Sequence, residues 1–360
     1  MSASSIEKKP WIVVVGGFLG AGKTTLILAA ARELERRGKR CAVIMNDQGS
    51  ELVDTRFAEL RGLLSGEVTG GCFCCRLTDL VDAAERLRAF SPDVIFAEPV
   101  GSCTDLLATV LRPLQDHRQK YQLAPFTVAV DPERAADLLR QEADPDLSYL
   151  FRKQIEEADI VCFSKADLHP EYPQLSARVS GRAIRQLSAA TGEGVGAWLS
   201  EVLSGALINN RDILEIDYAR YAQAEAALAW LNLRLTLKSY SPTTAAMAVG
   251  PFLDSLDSRL TAEGISIVHL KMIVTSPSGF LKVAICANGE EPQVEGVLDD
   301  SISSKLDVLL NLRALGSAAQ VKEAVEGELS QLSGAIEDLN LDCFTPAAPK
   351  PERRIIDPQS

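Results

Sequence analysis

Residues 16–25 read GGFLGAGKTT and form the clearest chemical pattern in the chain. They match the motif G-x-x-x-x-G-K-[ST]. An apolar run at residues 11–15 precedes the motif, and a helix-forming stretch that reaches residue 37 follows it. A phosphate-binding loop has this motif between a strand and a helix. Backbone N–H groups of such a loop, and the amino end of the helix that follows, bind phosphate oxygens. The candidate nucleotide contacts here are Gly17, Gly20, Ala21, Gly22, Lys23, Thr24 and Thr25.

Individual roles follow from this pattern. Lys23 is a predicted catalytic residue that reaches the β- and γ-phosphates, and the Thr24 hydroxyl is predicted to bind Mg²⁺. Glu98 ends the apolar run DVIFAE, where a phosphate-loop NTPase keeps an acidic group that holds Mg²⁺ through water or orients the attacking water. Gly101 lies in the turn that follows, which we expect near the γ-phosphate.

Two further carboxylates follow the second apolar run, CAVIM. Asp47 is a catalytic candidate in a nucleotide-sensing loop, and Glu51 is a candidate for the same loop and for a metal ligand. Each is also explained as a solvated loop carboxylate. Which of Asp47, Glu51 and Glu98 orients the attacking water stays open at this point.

The segment Ser164-Lys165-Ala166-Asp167 has the form [NTS]-K-x-D and closes an apolar run well downstream of the phosphate loop. An aspartate at the last position accepts hydrogen bonds from guanine N1–H and the 2-amino group, whereas adenine presents the opposite edge. Ser188 and Ala189 match a small backbone loop over the base. These residues predict GTP rather than ATP, the alternative being a Lys-Asp turn that caps the next helix.

Three cysteines, Cys72, Cys74 and Cys75, lie within four residues in GGCFCC. Thiolates are strong ligands for Zn²⁺, Co²⁺ and related ions, so this segment predicts a divalent metal site. The alternatives are clustered buried thiols or a redox pair. The other cysteines are scattered and are expected to be core residues: Cys41, Cys103, Cys162, Cys286 and Cys343.

Composition limits the classes of function. The chain has 360 residues, 46% of them apolar, and a formal charge of −12, so no general attraction to nucleic acid or to an anionic membrane is expected. No apolar stretch approaches a membrane helix, and the first residues lack the apolar core of a signal peptide. We therefore expect a cytoplasmic protein whose cysteines are not paired in disulfides.

The elements that must position these residues alternate along the first half of the chain. Five apolar runs (WIVVV, CAVIM, DVIFAE, FTVAV and DIVCFS) are separated by helical segments, and each is followed by a polar cluster. This order predicts an α/β phosphate-loop NTPase fold, with a mostly parallel sheet flanked by helices and the site at the carboxyl ends of its strands.

The predicted domain organisation has five parts. A flexible segment (1–9) precedes the nucleotide domain (10–205), and a linker (206–227) leads to a smaller α+β domain (228–340) with a possible ferredoxin-like order. The Pro-rich polar end of the chain (341–360) is expected to be disordered.

Taken together, GGFLGAGKTTL, GGCFCC, DVIFAEPVG and QIEEADIVCFSKADL resemble the CobW-like family of GTPases, which are related to the urease and hydrogenase nickel-insertion GTPases. The resemblance covers roughly residues 10–205. It implies a GTPase of slow intrinsic turnover that uses GTP, GDP and Mg²⁺, binds Zn²⁺ or Co²⁺ at the C-x-C-C motif, and delivers metal or a metallocofactor to a client metalloprotein. It also admits a nucleotide-dependent homodimer.

Two other functions stay open. One is a GTPase chaperone that loads or reactivates a cobalamin-dependent enzyme, in which the cysteines are secondary. The other is a small-molecule kinase built on the same loop, which the guanine element disfavours. The chain also departs from the family at residues 46–49, which read NDQG where Asn-Glu-Phe-Gly is usual.

Overall fold

The computed structural model describes residues 9–49, 51–169, 175, 179, 183–205, 212–296 and 302–356. These residues divide into two compact units. The first contains the described residues of Met1–Gln48, Ala58–Tyr221 and Pro349–Ser360, and the second those of Gly49–Phe57 and Ala222–Ala348.

The first unit is built on a parallel sheet. Its strands follow the order β3-β2-β4-β1-β6-β7-β8, with the short β5 beside β1, and every pair in it is parallel. The central strands β1, β2, β4, β6 and β7 are almost completely buried, because helices cover both faces of such a sheet. This confirms the predicted α/β fold. The strands are β1 (Trp11–Gly16), β2 (Cys41–Asn46), β3 (Leu64–Val68), β4 (Val94–Glu98), β5 (Gln122–Leu123), β6 (Thr127–Val130), β7 (Ile160–Phe163) and β8 (Ala183–Gln186).

Helices connect most of these strands, as parallel pairing requires. Asp131 and Asp144 cap two of them, because each carboxylate accepts hydrogen bonds from backbone N–H groups of the first turn. The helices are α1 (Lys23–Arg36), α2 (Val53–Leu60), α3 (Leu77–Arg88), a π-helical segment (Leu107–Leu111) that continues into α4 (Arg112–Leu114) and a 3-10 turn (Gln115–His117), α5 (Pro132–Leu138), α6 (Pro145–Glu157), α7 (Val195–Val202) and α8 (Tyr218–Ala226). Two of them, α7 and α8, follow the last strand β8, and α2 and α8 each lie partly in the second unit.

The second unit is an antiparallel sheet with two long helices. The strand order is β12-β11-β10-β13-β9-β14. Within it, β9, β10, β13 and β14 with the two helices have the ferredoxin-like order, as predicted, and β11 and β12 extend the sheet beyond β10. The elements are β9 (Leu228–Thr243), α9 (Ala245–Ala262), β10 (Ser266–Ser276), β11 (Gly279–Ile285), β12 (Gln293–Gly296), β13 (Ser303–Leu315), α10 (Ala318–Glu328), a 3-10 turn (Leu329–Gln331) and β14 (Ala335–Phe344).

The segment Gly49–Phe57, which follows β2 in the chain, belongs to this second unit. Its backbone and side chains bond to the antiparallel sheet: the Asn311 side chain accepts from the Val53 N–H at 3.0 Å, and Lys271 pairs with Asp54 at 2.5 Å. Arg234 pairs with Glu51 at 2.8 Å. The second unit therefore includes a segment that, in the sequence, lies between two strands of the first unit.

The end of the chain differs from the expected disordered tail. Residues 341–344 complete β14, and residues 350–355 belong to the first unit, where they make hydrogen bonds to segments far from them in the sequence. Its polar composition gave no sign of these contacts, because the groups that receive it are far away in the sequence. Residues 1–8 and 357–360, and residues 206–211 of the expected linker, lie outside the described residues. No helix in the described part of the chain is long and apolar enough to cross a membrane.

Candidate nucleotide and metal site

The phosphate loop joins β1 to α1 in a conformation that depends on glycine. Gly17 and Gly22 have φ angles of +134° and +81°, which side chains other than glycine rarely adopt. A Cβ atom at Gly17 would also lie 2.3 Å from the carbonyl oxygen of Ala129 in β6. Gly22 ends the loop, and α1 begins at Lys23. The backbone is therefore shaped as the motif predicts, with the amino end of α1 directly after the loop.

Thr24 and Glu98, the two predicted Mg²⁺ residues, are in contact. The Thr24 hydroxyl donates to a Glu98 carboxylate oxygen at 3.1 Å, and both side chains are buried. They meet because β1, which leads to Thr24, and β4, which ends at Glu98, are neighbours in the sheet. A hydroxyl and a carboxylate are oxygen donors of the kind that Mg²⁺ prefers, so this pair fits the ion.

Lys23 and Gly101 also lie together. The Lys23 ammonium donates to the Phe18 carbonyl oxygen at 3.2 Å. A Cβ atom at Gly101 would lie 3.1 Å from the Lys23 nitrogen and 2.8 Å from the Leu19 side chain. The turn after β4 therefore approaches the phosphate loop closely at a position without a side chain.

The guanine-reading candidates lie after β7 and β8, which are adjacent strands. Ser164 is buried, and its hydroxyl donates to the carbonyl oxygen of Ala21 in the phosphate loop at 2.9 Å. Lys165 has a positive φ of +53° and forms a 2.5 Å ion pair with Asp131. Asp167 is exposed, as its predicted role requires.

Ser188 and Ala189 follow β8 directly. Ser188 is fully buried, and its hydroxyl accepts from the Thr191 N–H at 3.1 Å. The Ala166 N–H donates to the Leu187 carbonyl oxygen at 3.2 Å, which ties the two loops together. The structure thus brings both predicted guanine segments to one edge of the sheet.

Asp47 and Glu51, the two doubtful carboxylates, have different surroundings. The Asp47 backbone N–H donates to the Val68 carbonyl oxygen at 3.2 Å, so Asp47 sits at the carboxyl ends of β2 and β3. Glu51 belongs to the second unit, where Arg234 pairs with its carboxylate. Their predicted roles with water or metal stay predictions.

The cysteines of GGCFCC form a compact cluster. The sulfur of Cys72 lies 2.7 Å from that of Cys74 and 3.4 Å from that of Cys75, and the last two sulfurs are 3.6 Å apart. The Cys75 N–H donates to the Cys72 carbonyl oxygen, which bends the chain so that consecutive cysteines can converge. Among the described residues, this is the group of three or more potential ligands close enough to hold one metal ion.

The protonation of the cluster is uneven. Hydrogen bonds from Cys103, Cys74 and Cys75 hold the pKa of the Cys72 thiol well below its usual value. Hydrogen bonds with Cys103, Cys72 and Cys75 raise the pKa of the Cys74 thiol, and the hydrogen bond with Cys72 and burial raise that of Cys75 to about 11. The thiolate is the form of cysteine that binds metal.

Asn46, the last residue of β2, is a positioning residue that the sequence did not single out. Its buried amide donates to the carbonyl oxygens of Val68 at 2.9 Å and Gly71 at 2.7 Å, and it accepts from the Phe73 N–H at 2.8 Å. It fixes the loop on both sides of Cys72. The signals in the sequence were its position at a strand end, next to Asp47, and its match to the first residue of the pattern Asn-Glu-Phe-Gly.

Two more features of the cluster could not be predicted from local sequence. Cys103 is buried, as expected for a core residue, but side-chain hydrogen bonds join its thiol to Cys72 and Cys74. The end of the chain also reaches the motif: the Lys350 N–H donates to the Cys75 sulfur at 3.2 Å, and the Glu352 N–H donates to the Cys74 carbonyl oxygen at 2.9 Å.

The chain is similar to two zinc chaperones of Escherichia coli. It is 32% identical to YeiR over 162 residues, which cover 43% of this chain and 46% of YeiR. It is 29% identical to YjiA over 183 residues, which cover 48% of this chain and 55% of YjiA. The matches thus span about half the length of these relatives.

The chain is also similar to a solved structure, that of HypB from Helicobacter pylori in complex with nickel. The TM-score is 0.43 and the sequence identity 15%, and the match covers 59% of this chain and 94% of HypB. Residues 11–191 match the family described as CobW/HypB/UreG, nucleotide-binding domain. That range includes the phosphate loop, the cysteine cluster and the loops after β7 and β8. The chain therefore belongs to the CobW/HypB/UreG family.

Proposed function

We propose that this protein is a GTP-dependent metallochaperone. It binds and slowly hydrolyses GTP, holds a divalent transition metal such as Zn²⁺ or Co²⁺ through Cys72, Cys74 and Cys75, and delivers the metal or a metallocofactor to a client protein. The observation that carries the proposal is the cluster of three thiols, 2.7–3.6 Å apart, in a loop at the end of β3. That strand belongs to the same parallel sheet as the phosphate loop.

The nucleotide part rests on residues at the carboxyl edge of this sheet. Lys23 would offset the charge of the β- and γ-phosphates, and Asp167 would accept hydrogen bonds from guanine. Thr24 and Glu98 would hold Mg²⁺, which supplies positive charge between the same phosphates. Glu98 and Asp47 are the groups proposed to orient the attacking water. We expect slow turnover, because a switch must keep its GTP until it meets the client.

The metal part rests on the thiols and on the relatives. Three sulfur ligands suit Zn²⁺ and Co²⁺. YeiR and YjiA are both zinc chaperones. Transfer of a metal, unlike storage, needs a site whose affinity changes with the state of the protein.

Such a change has a short path through the first unit. Asn46 bonds to the backbone of the cysteine loop, and the next residue is Asp47, the candidate for sensing nucleotide. A rearrangement of Asp47 between the GDP and GTP states would reach the cysteine loop through one side chain. Metal affinity would then depend on which nucleotide is bound.

The test is to measure Zn²⁺ and Co²⁺ affinity of the reduced protein with GDP and with a non-hydrolysable GTP analogue. We expect a difference of about 5-fold or more between the two states, since coupling of this kind is usually 1–3 kcal/mol. We also expect that metal stimulates GTP hydrolysis. Equal metal affinities in the two states would contradict the proposed coupling.

The matched variants replace Cys72, Cys74 and Cys75 together with serine, or replace the strand cysteine Cys162 with serine. The triple variant should lose metal binding and metal-stimulated turnover and keep GTP binding, and the Cys162→Ser variant should keep all three. Metal-stimulated turnover that survives in the triple variant would instead favour the cobalamin-enzyme chaperone, where the cysteines are secondary.

A further inference from the structure

The buried thiol of Cys103 lies beside the cysteine cluster but outside the group of three sulfurs that are all within 4.8 Å of one another. Its side chain is 1% exposed, and side-chain hydrogen bonds join its thiol to those of Cys72 and Cys74. The two segments come from different loops, one after β3 and the other after β4. The strand order β3-β2-β4 places these loops at the same edge of the sheet, on the two sides of the end of β2.

The backbone that carries Cys103 is held from α6 and α8. The Gln154 amide donates to the carbonyl oxygens of both Gly101 and Cys103 at 2.9 Å. The next N–H, that of Thr104, donates to the Tyr221 hydroxyl at 3.1 Å. These bonds fix the main chain on both sides of the thiol, so that Cys103 faces the cluster before any ligand binds.

We propose that Cys103 is the fourth thiolate of a closed four-cysteine site for a zinc-class cation, completed by Cys72, Cys74 and Cys75. The inference rests on the proposed metal function and names the ligand set of that site. Four-coordinate Zn²⁺ binds sulfur at about 2.3 Å in a tetrahedron, which places its sulfurs about 3.8 Å apart. The Cys72–Cys75 and Cys74–Cys75 separations of 3.4 and 3.6 Å are near this value, and the 2.7 Å pair must open by about 1 Å.

The fourth ligand also links the metal to the nucleotide. Cys103 shares its turn with Gly101, whose backbone lies against Leu19 and Lys23 of the phosphate loop. A shift of this turn between the GDP and GTP states moves Cys103 relative to the other three sulfurs. The site is closed with four sulfurs, and with three it has an open position for a ligand from the client.

The experiment loads the full-length reduced chain with Co²⁺ in the presence of GDP and records the sulfur-to-cobalt charge-transfer band. The variants are Cys103→Ala and, as a matched control, Cys162→Ala, whose thiol is equally buried but lies within β7. We expect the band of Cys103→Ala to fall by about a quarter, since one of four thiolates is lost, and Co²⁺ affinity to weaken at least about 100-fold. The Cys162→Ala variant should match the wild type.

The outcomes separate this inference from the proposed function. Wild-type protein that binds neither Co²⁺ nor Zn²⁺ would refute the metallochaperone itself. Wild-type protein that binds Co²⁺, together with an unchanged band and affinity in Cys103→Ala, would overturn only the role of Cys103. If Cys103→Ala fails to fold, X-ray absorption of the zinc-loaded wild type decides: four sulfur neighbours support the inference, and three with an oxygen or nitrogen overturn it.

Discussion

The replacement of Asn46 by alanine tests whether this side chain positions the cysteine loop. The substitution removes three hydrogen bonds of 2.7, 2.8 and 2.9 Å. Two backbone carbonyl groups and one backbone N–H group then lose their Asn46 partner in a buried site, since Asn46 is only 7% exposed. At about 1 kcal/mol for each bond, we expect a loss of about 3 kcal/mol in the free energy of unfolding.

The same change should weaken metal binding. The Phe73 N–H and the Gly71 carbonyl group flank Cys72, so the loss of their bonds frees the loop that must present the sulfurs together. Residues that orient metal ligands typically contribute 10–100-fold to affinity. We expect Zn²⁺ affinity to fall by about 10–100-fold, as measured by competition with a chromophoric chelator at fixed GDP concentration.

Asn288 provides the matched control. Its side chain also makes three hydrogen bonds: it accepts from the Ile267 N–H at 2.6 Å and donates to Thr261 and to the Ile265 carbonyl oxygen at 3.0 Å each. These bonds all lie in the second unit. The Asn288→Ala variant should lose stability in urea unfolding and keep its zinc affinity. Normal zinc affinity in Asn46→Ala, or an equal loss in Asn288→Ala, would refute the reasoning.

Three further predictions concern the supports of the site. Burial raises the pKa of Glu157 from 4.5 to about 7. As pH rises, the folded state therefore keeps this proton after the unfolded state has lost it. The free energy of unfolding should fall by about 3 kcal/mol between pH 4.5 and pH 7. The Glu157→Gln variant should lose this slope in denaturation at several pH values, and an unchanged slope would contradict the assignment. Arg354→Ala leaves the buried Asp105 carboxylate without its ion pair and should lower the free energy of unfolding in urea by about 2–3 kcal/mol. The control Arg353→Ala removes an exposed ion pair and should lower it by less than about 1 kcal/mol. Equal losses in the two variants would argue against a role for burial. Gly17→Ala brings a Cβ atom 2.3 Å from a backbone carbonyl oxygen and should abolish binding of a fluorescent GDP analogue, so retained binding would show that the loop can adjust.

The sequence was sufficient to predict the buried central strands of the parallel sheet and insufficient to predict the strands at its edges. The runs WIVVV, CAVIM, DVIFAE, FTVAV and DIVCFS correspond to β1, β2, β4, β6 and β7, because a strand covered on both faces must be apolar throughout. By contrast, β3 and β8 lie at the two ends of the sheet and are only half-buried, so their sequences LSGEV and AIRQ lack such a run. The two-residue β5 is too short to produce a pattern.

The site follows the same division. The predicted phosphate loop, the predicted guanine loops and the cysteine loop are each continuous in sequence, so local motifs could point to them. The contacts of Asn46, Cys103 and the residues around Lys350 join segments far apart in the chain, so no local spacing encodes them. Glu51 shows the limit most clearly, because nothing local indicated its ion pair with Arg234, 183 residues away.

One rule used for the nucleotide would nevertheless have found Cys103. Ligand sites in a parallel sheet form where the carboxyl ends of neighbouring strands meet, and this rule placed Glu98 beside the phosphate loop. Cys103 lies five residues after Glu98, so it leaves the sheet at the same edge as the loop that follows β3. With the order β3-β2-β4-β1, the cysteine loop, Asn46, the turn from Glu98 to Cys103 and the phosphate loop come from four consecutive strands. If the proposed metal site lies at one end of this row and the proposed nucleotide site at the other, the two would share the turn after β4, and a movement of that turn would reach both.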